Sequence, residues 1–189
     1  MRLQRGSLIR TRRISTTRFA VWNSLQPNAL LRDSDVDDFA LTAAERTLFR
    51  ALNARGVRFL VIGLGAAVLQ GAPESTQHID VWFEDAGADA LRAAATDAGG
   101  FWVPTFGLRP PGIGGEGLER VDTVLTAHGL RDFAAEYGDA IDYIVDGIPL
   151  KVLTIERVIA SKRSLNRPKD VAAIPALEAA LRAKADEAR

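Results

Sequence analysis

Chemistry is first readable at His78 and Asp80, which stand two residues apart in the run His78-Ile79-Asp80-Val81-Trp82-Phe83. Side chains alternate along a strand, so positions 78 and 80 point to one face. Two ligands at that spacing can grip one divalent ion. Asp142, within Ile141-Asp142-Tyr143, lies in a later apolar run and completes a set of three. Carboxylates of this kind suit Mg²⁺ shared with substrate phosphates. A pair of such ions activates an attacking oxygen and stabilises a leaving one. The imidazole at position 78 alters the donor set, because it favours zinc and other transition metals over Mg²⁺. Just upstream stands Gly63-Leu64-Gly65. A strand that enters such a turn and then starts a helix leaves backbone N–H groups free for a phosphate. Glycine lets that phosphate approach the backbone.

The elements that must position these residues follow from spacing. Thr42 and Glu45 form a capping box and open a helix that ends at Gly56. Residues 57–62 are short and nearly all apolar, as in a buried strand. After the glycine turn a short helix covers 66–70 and is broken by Gly71 and Pro73. Residues 79–83 read as a second strand, 88–97 as a helix and 121–125 as a strand. A short helix is expected over 130–136. Residues 140–145 and 148–153 form a hairpin around Asp146-Gly147. Thr154 caps a helix to about residue 165, and Pro168 opens a last one to about residue 185. This order implies an α/β (α+β) fold, a mixed central sheet with helices packed on it. Residues 101–120 are rich in Pro and Gly and resist assignment.

Composition sets the outer limits. The chain has 189 residues, one domain with decoration, and 24 basic residues offset 24 acidic ones. No global field therefore points to nucleic acid. The absence of cysteine removes disulfides, thiolate metal sites and cysteine nucleophiles; it fits a cytoplasmic location. No apolar run reaches the roughly 18 residues of a membrane span. The first 32 residues hold seven arginines and no acid, and Asp33, Asp35, Asp37 and Asp38 follow. Residues 1–37 are thus expected to be a basic arm or extension, and 38–189 the domain.

Two blocks carry a family resemblance. The first runs from Val61-Ile62-Gly63-Leu64-Gly65-Ala66 to Ser75-Thr76-Gln77-His78-Ile79-Asp80-Val81. The second is Leu153-Thr154-Ile155-Glu156-Arg157-Val158-Ile159-Ala160-Ser161-Lys162, followed by Arg167-Pro168-Lys169-Asp170. Together they resemble the nucleotidyltransferase superfamily with the polymerase-beta-like fold, above all small bacterial members, including the abortive-infection toxin type. In that pattern a strand leads to Gly-Gly or Gly-Ser, then to Asp-x-Asp on the next strand, with a third Asp on a later one. The resemblance implies that Gly63, Leu64 and Gly65 form the phosphate-binding turn and that Asp80 and Asp142 are the catalytic, metal-binding carboxylates. It implies that Lys162 faces nucleotide phosphate or holds its helix against the site. Asp170 would be structural, near Lys169 or Arg167.

Three positions depart from the pattern. Leu64 replaces the second Gly or Ser, His78 replaces the first carboxylate, and Glu74 stands where a basic residue is common. The resulting expectation is a degenerate site that binds nucleotide or phosphate with weak or no transfer, a pseudoenzyme or a relative of toxin–antitoxin proteins. One alternative is an active toxin-like transferase that modifies RNA, protein or a small molecule. It would use Mg²⁺ or Mn²⁺ with a nucleoside triphosphate; otherwise no cofactor is expected. Another is a non-enzymatic scaffolding module that uses the basic start and residues 101–120. The expected partner is a nucleotide, with RNA or an antitoxin protein as further candidates and no membrane. Gly112-Ile113-Gly114-Gly115-Glu116-Gly117 matches a dinucleotide fingerprint on paper, but Arg109-Pro110-Pro111 precedes it where a strand is required. It reads as a flexible loop. His128 reads as a lone histidine, and Trp82 and Trp102 as core or pocket wall.

Overall fold

Thr42 and Glu45 start the first helix as their spacing predicts. Thr42 Oγ1 accepts from the Glu45 N–H at 3.1 Å, and the Glu45 carboxylate accepts from the Thr42 N–H at 2.8 Å. Two donors that no helical carbonyl can reach are thereby satisfied. The helix is α1, Ala43–Ala54, and its Leu48, Phe49 and Leu52 are fully buried. Gly56, at φ 69°, turns the chain out of it. The computed structural model describes residues 39–105 and 110–187. The basic start and the expected boundary at residue 37 lie outside the described residues.

β1 (Phe59–Ile62) is buried at every position, as a central strand covered on both faces must be. α2 (Gly63–Val68) follows with no intervening loop, three residues earlier than its sequence suggests. Then come β2 (Ile79–Phe83), α3 (Asp89–Asp97), β3 (Phe101–Val103), β4 (Gly112–Gly114) and β5 (Val121–Val124). α4 (Phe133–Asp139) leads to β6 (Ile141–Val145), β7 (Ile148–Val152), α5 (Ile155–Leu165) and α6 (Pro168–Glu187). α4 starts later than the expected helix because Asp132 is the cap, accepting from the Ala135 N–H at 2.8 Å.

Five strands form one mixed sheet in the order β5-β2-β1-β7-β6. β1 is antiparallel to β2, with Ile62 opposite Asp80, and parallel to β7. β2 and β5 are parallel, with Asp80 opposite Asp122. β6 and β7 are a hairpin whose turn residues Asp146 and Gly147 have φ 51° and 73°. Positive φ at both positions is what a two-residue primed turn demands, so the Asp-Gly signal is realised. The fold is thus the expected α/β class. Residues 112–114 correct the loop expectation: they are β4, which pairs antiparallel with β3 as a separate two-stranded sheet. Strands of three residues carry too little alternation to be seen in sequence.

Leu60, Val61, Ile79, Val81 and Val152 of the sheet meet Leu48, Leu52, Leu91 and Leu177 of the helices in one buried cluster. Each such side chain contributes about 1.5–3 kcal/mol on burial. No described helix is long and apolar enough to cross a membrane.

Candidate functional site

Register brings two carboxylates together. Asp80 of β2 and Asp122 of β5 are Cα partners on parallel neighbours, and both line one cavity of about 780 Å³. Gly63 and Leu64 at the start of α2 also line it, as do Glu74, Thr76 and His78 of the loop before β2. The opposite wall is the α5–α6 junction, with Lys162, Arg167, Lys169 and Asp170. The cavity therefore lies at the end of β2 and β5, roofed by cations.

Gly63 explains the position of Asp80. Its φ is 64°, and a Cβ placed there would run into Asp80 Oδ2 and come within 3.0 Å of Asp80 Cγ. The missing side chain makes room for the carboxylate. Gly65 behaves differently: it is buried, and a Cβ there would approach the Phe39 ring at 3.0 Å. Its place is in the packing beneath the turn, while Gly63 and Leu64 face the cavity.

His78 is held at both ends. Thr76 Oγ1 accepts from the His78 N–H at 3.2 Å and donates to the His78 carbonyl at 3.0 Å. Its ring Nδ1 is 3.0 Å from Asp122 Oδ2. Burial is the main reason that Asp80 holds its proton more tightly than an ordinary carboxyl; the neighbouring Asp122 adds to this. His78, Lys162 and Lys169 act in the opposite sense. Across the cavity Asp170, only 2% exposed, accepts from Arg167 Nε at 2.5 Å and from Lys162 Nζ at 3.1 Å. The Arg167 bond, aided by Lys162, keeps the Asp170 carboxyl below its usual range against the effect of burial. Lys162 is 14% exposed, so its charge acts in a partly desolvated place.

Asp142 does not join this cluster. It lies on β6, the far edge of the sheet, with β1 and β7 between that strand and β2. There it stands opposite Lys151 and pairs with its Nζ at 3.0 Å. The acid beside Asp80 is Asp122. The signal for Asp122 was present in Val121-Asp122-Thr123-Val124, an acid inside an expected strand, but only sheet order shows which strand is beside β2. His128 also lines the cavity, so both histidines of the chain face it.

No protein-family model matches the chain, and no curated protein matches it significantly. Among solved structures, the chain is similar to the solution structure of the antibiotic-resistance factor ANT(2'')-Ia. The identity is 15% and the TM-score 0.50, over 76% of this chain and 84% of that one. A crystal structure of ANT(2'')-Ia in complex with adenylyl-2''-tobramycin aligns at 15% identity and TM-score 0.49, over 76% and 90% of the two chains. The fold is nucleotidyltransferase-like. At this identity the likeness concerns the fold and no residue role.

A divalent ion implied by the resemblance does not fit the side chains present. Among the described residues, no three His, Asp or Glu groups are placed to hold an ion together. The expected first carboxylate is an imidazole, the expected third lies on the far edge strand, and Asp122 is engaged by His78. What the cavity offers is a pair of acids on one wall facing three cations and a buried acid on the other.

Proposed function

We propose that the chain binds a nucleotide or another phosphate ester in this cavity, with weak or no nucleotidyl transfer. The carrying observation is the wall of Lys162, Arg167 and Lys169 across from Asp80 and Asp122. Phosphate oxygens accept from such cations, and the partial burial of Lys162 strengthens the contact. The acids opposite are suited to hydroxyl donors of a sugar or acceptor. Leu64 in place of a hydroxyl and His78 in place of a carboxylate support weak transfer rather than efficient transfer. The test is isothermal titration of the full chain with ATP, CTP, GTP and UTP. Binding of at least one, weakened in Lys169→Ala, supports the reading; no binding to any removes it.

The adjacency of Asp80 and Asp122 favours a second reading, an active transferase that uses that pair to draw a proton from an acceptor hydroxyl. Transfer of labelled nucleotide monophosphate that disappears in Asp80→Ala supports it. Transfer unchanged by that substitution eliminates it. RNA and an antitoxin protein are the acceptor or partner classes to include in that assay.

A further inference from the structure

Three acids of the cavity stand near cations or the imidazole, each in a different way. The His78 ring stands against Asp122, with Nδ1 3.0 Å from Oδ2. Asp80 feels Lys162 and Lys169, although burial and Asp122 outweigh them, and Asp170 is bonded by Lys162 and Arg167. An ion approaching Asp122 from this side has to displace the imidazole that stands against that carboxylate. Thr76 holds the backbone of residue 78 by both its N–H and its carbonyl, which fixes the point from which the ring reaches Asp122. Among the described residues no third ligand stands ready to repay that displacement.

We propose that His78 takes the place of a metal ion in this cavity: its ring stands against Asp122, and a phosphate-bearing ligand binds through Lys162, Arg167 and Lys169 without a divalent cation. This inference rests on the reading of the cavity as a nucleotide site and adds to it the exclusion of the ion. Position 78 is then a switch of ligand chemistry. His78→Asp frees Asp122 of the imidazole and leaves three carboxylates lining the same cavity, oxygen donors of the kind that Mg²⁺ and Mn²⁺ prefer once the side chains turn towards an ion.

The experiment titrates MnCl₂ alone into the full chain, followed by water-proton relaxation, for wild type, His78→Asp and Asp80→Asn. His78→Asp is expected to bind Mn²⁺ at least about tenfold more tightly than wild type, the scale on which a ligand's hydrogen-bonded surroundings alter metal affinity. ATP is then titrated in EDTA and in MgCl₂; the wild-type Kd is expected to differ by less than about threefold, well short of one tenfold step in affinity. Wild type that binds Mn²⁺ as tightly as His78→Asp, with the binding lost in Asp80→Asn, overturns the proposal. Failure of both wild type and His78→Asp to bind Mn²⁺ also overturns it, because His78 is then not what keeps the ion out. Should circular dichroism show that His78→Asp is unfolded, His78→Asn serves instead. It releases Asp122 and is expected to tighten Mn²⁺ binding at least about threefold, and unchanged binding counts against the proposal. Absence of ATP binding in both EDTA and MgCl₂ refutes the nucleotide reading, whereas the Mn²⁺ comparison still judges the role of His78.

Discussion

Gly63→Ala separates two reasons for a glycine at the start of α2. The residue has φ 64°, and a left-handed backbone costs a residue with a Cβ roughly 1–2 kcal/mol. The added methyl would also run into Asp80 Oδ2, with Asp80 Cγ at 3.0 Å. Driving Asp80 off its rotamer adds roughly 0.5–1.5 kcal/mol. The expected total is about 2–3 kcal/mol. Gly56 supplies the control: its φ is 69°, and a Cβ there meets nothing within 4 Å. Gly56→Ala therefore carries the backbone cost alone, about 1–2 kcal/mol. Urea denaturation of both variants reads the difference, expected at about 1 kcal/mol. The double variant Gly63→Ala/Asp80→Ala removes the clash, so the two losses are non-additive by a similar amount, as expected of groups in contact. Equal losses in the two glycine variants, together with additivity in the double variant, would refute the claim that Gly63 makes room for Asp80.

Asp80 has a raised folded-state pKa, chiefly from burial. The stability it contributes is complete below its unfolded value and is lost as pH rises through the raised one. Asp80→Asn is expected to lose less stability than wild type as pH rises from about 4 towards neutrality, measured by urea midpoints at several pH values. Glu136 on α4 is fully buried; burial alone would raise its pKa, but bonds from Arg157 and Arg131 hold it down at about 2. Glu136→Gln deprives Arg157 of its counter-charge, while Arg131 keeps Asp139, and is expected to cost about 3 kcal/mol, read from the same midpoints. Asp142→Asn, on the edge strand, should change stability by no more than about 0.5 kcal/mol and leave ATP affinity as it was. Asp122→Asn should alter ATP affinity measurably by isothermal titration; the reverse ranking of these two variants would contradict the assignment of the cavity.

The elements themselves were legible because their causes are local. A capping box, an apolar run of strand length and an Asp-Gly turn each act over a few residues, and α1, β1 and the β6–β7 hairpin follow from them. Arg167 lies beside Asp170 as the resemblance implies, whereas the bond from Lys162 to Asp170 crosses a helix junction and follows from how α5 packs on α6. The choice between Asp122 and Asp142 is not local. Both are acids in β-prone runs, and only the strand order β5-β2-β1-β7-β6 puts one beside Asp80 and the other at the far edge. Gly63 and Gly65 also look equivalent in sequence, yet one yields space to a carboxylate and the other to the Phe39 ring. His78 was marked by its residue type as a break in an acidic pattern; its ring meets Asp122 because a parallel strand forty-four positions away in sequence lies alongside β2. Sequence thus determined the elements and the residues able to do chemistry, since propensity and capping act along the chain. Tertiary structure decided which of those residues meet, because strand order and register are settled by the burial of a common core.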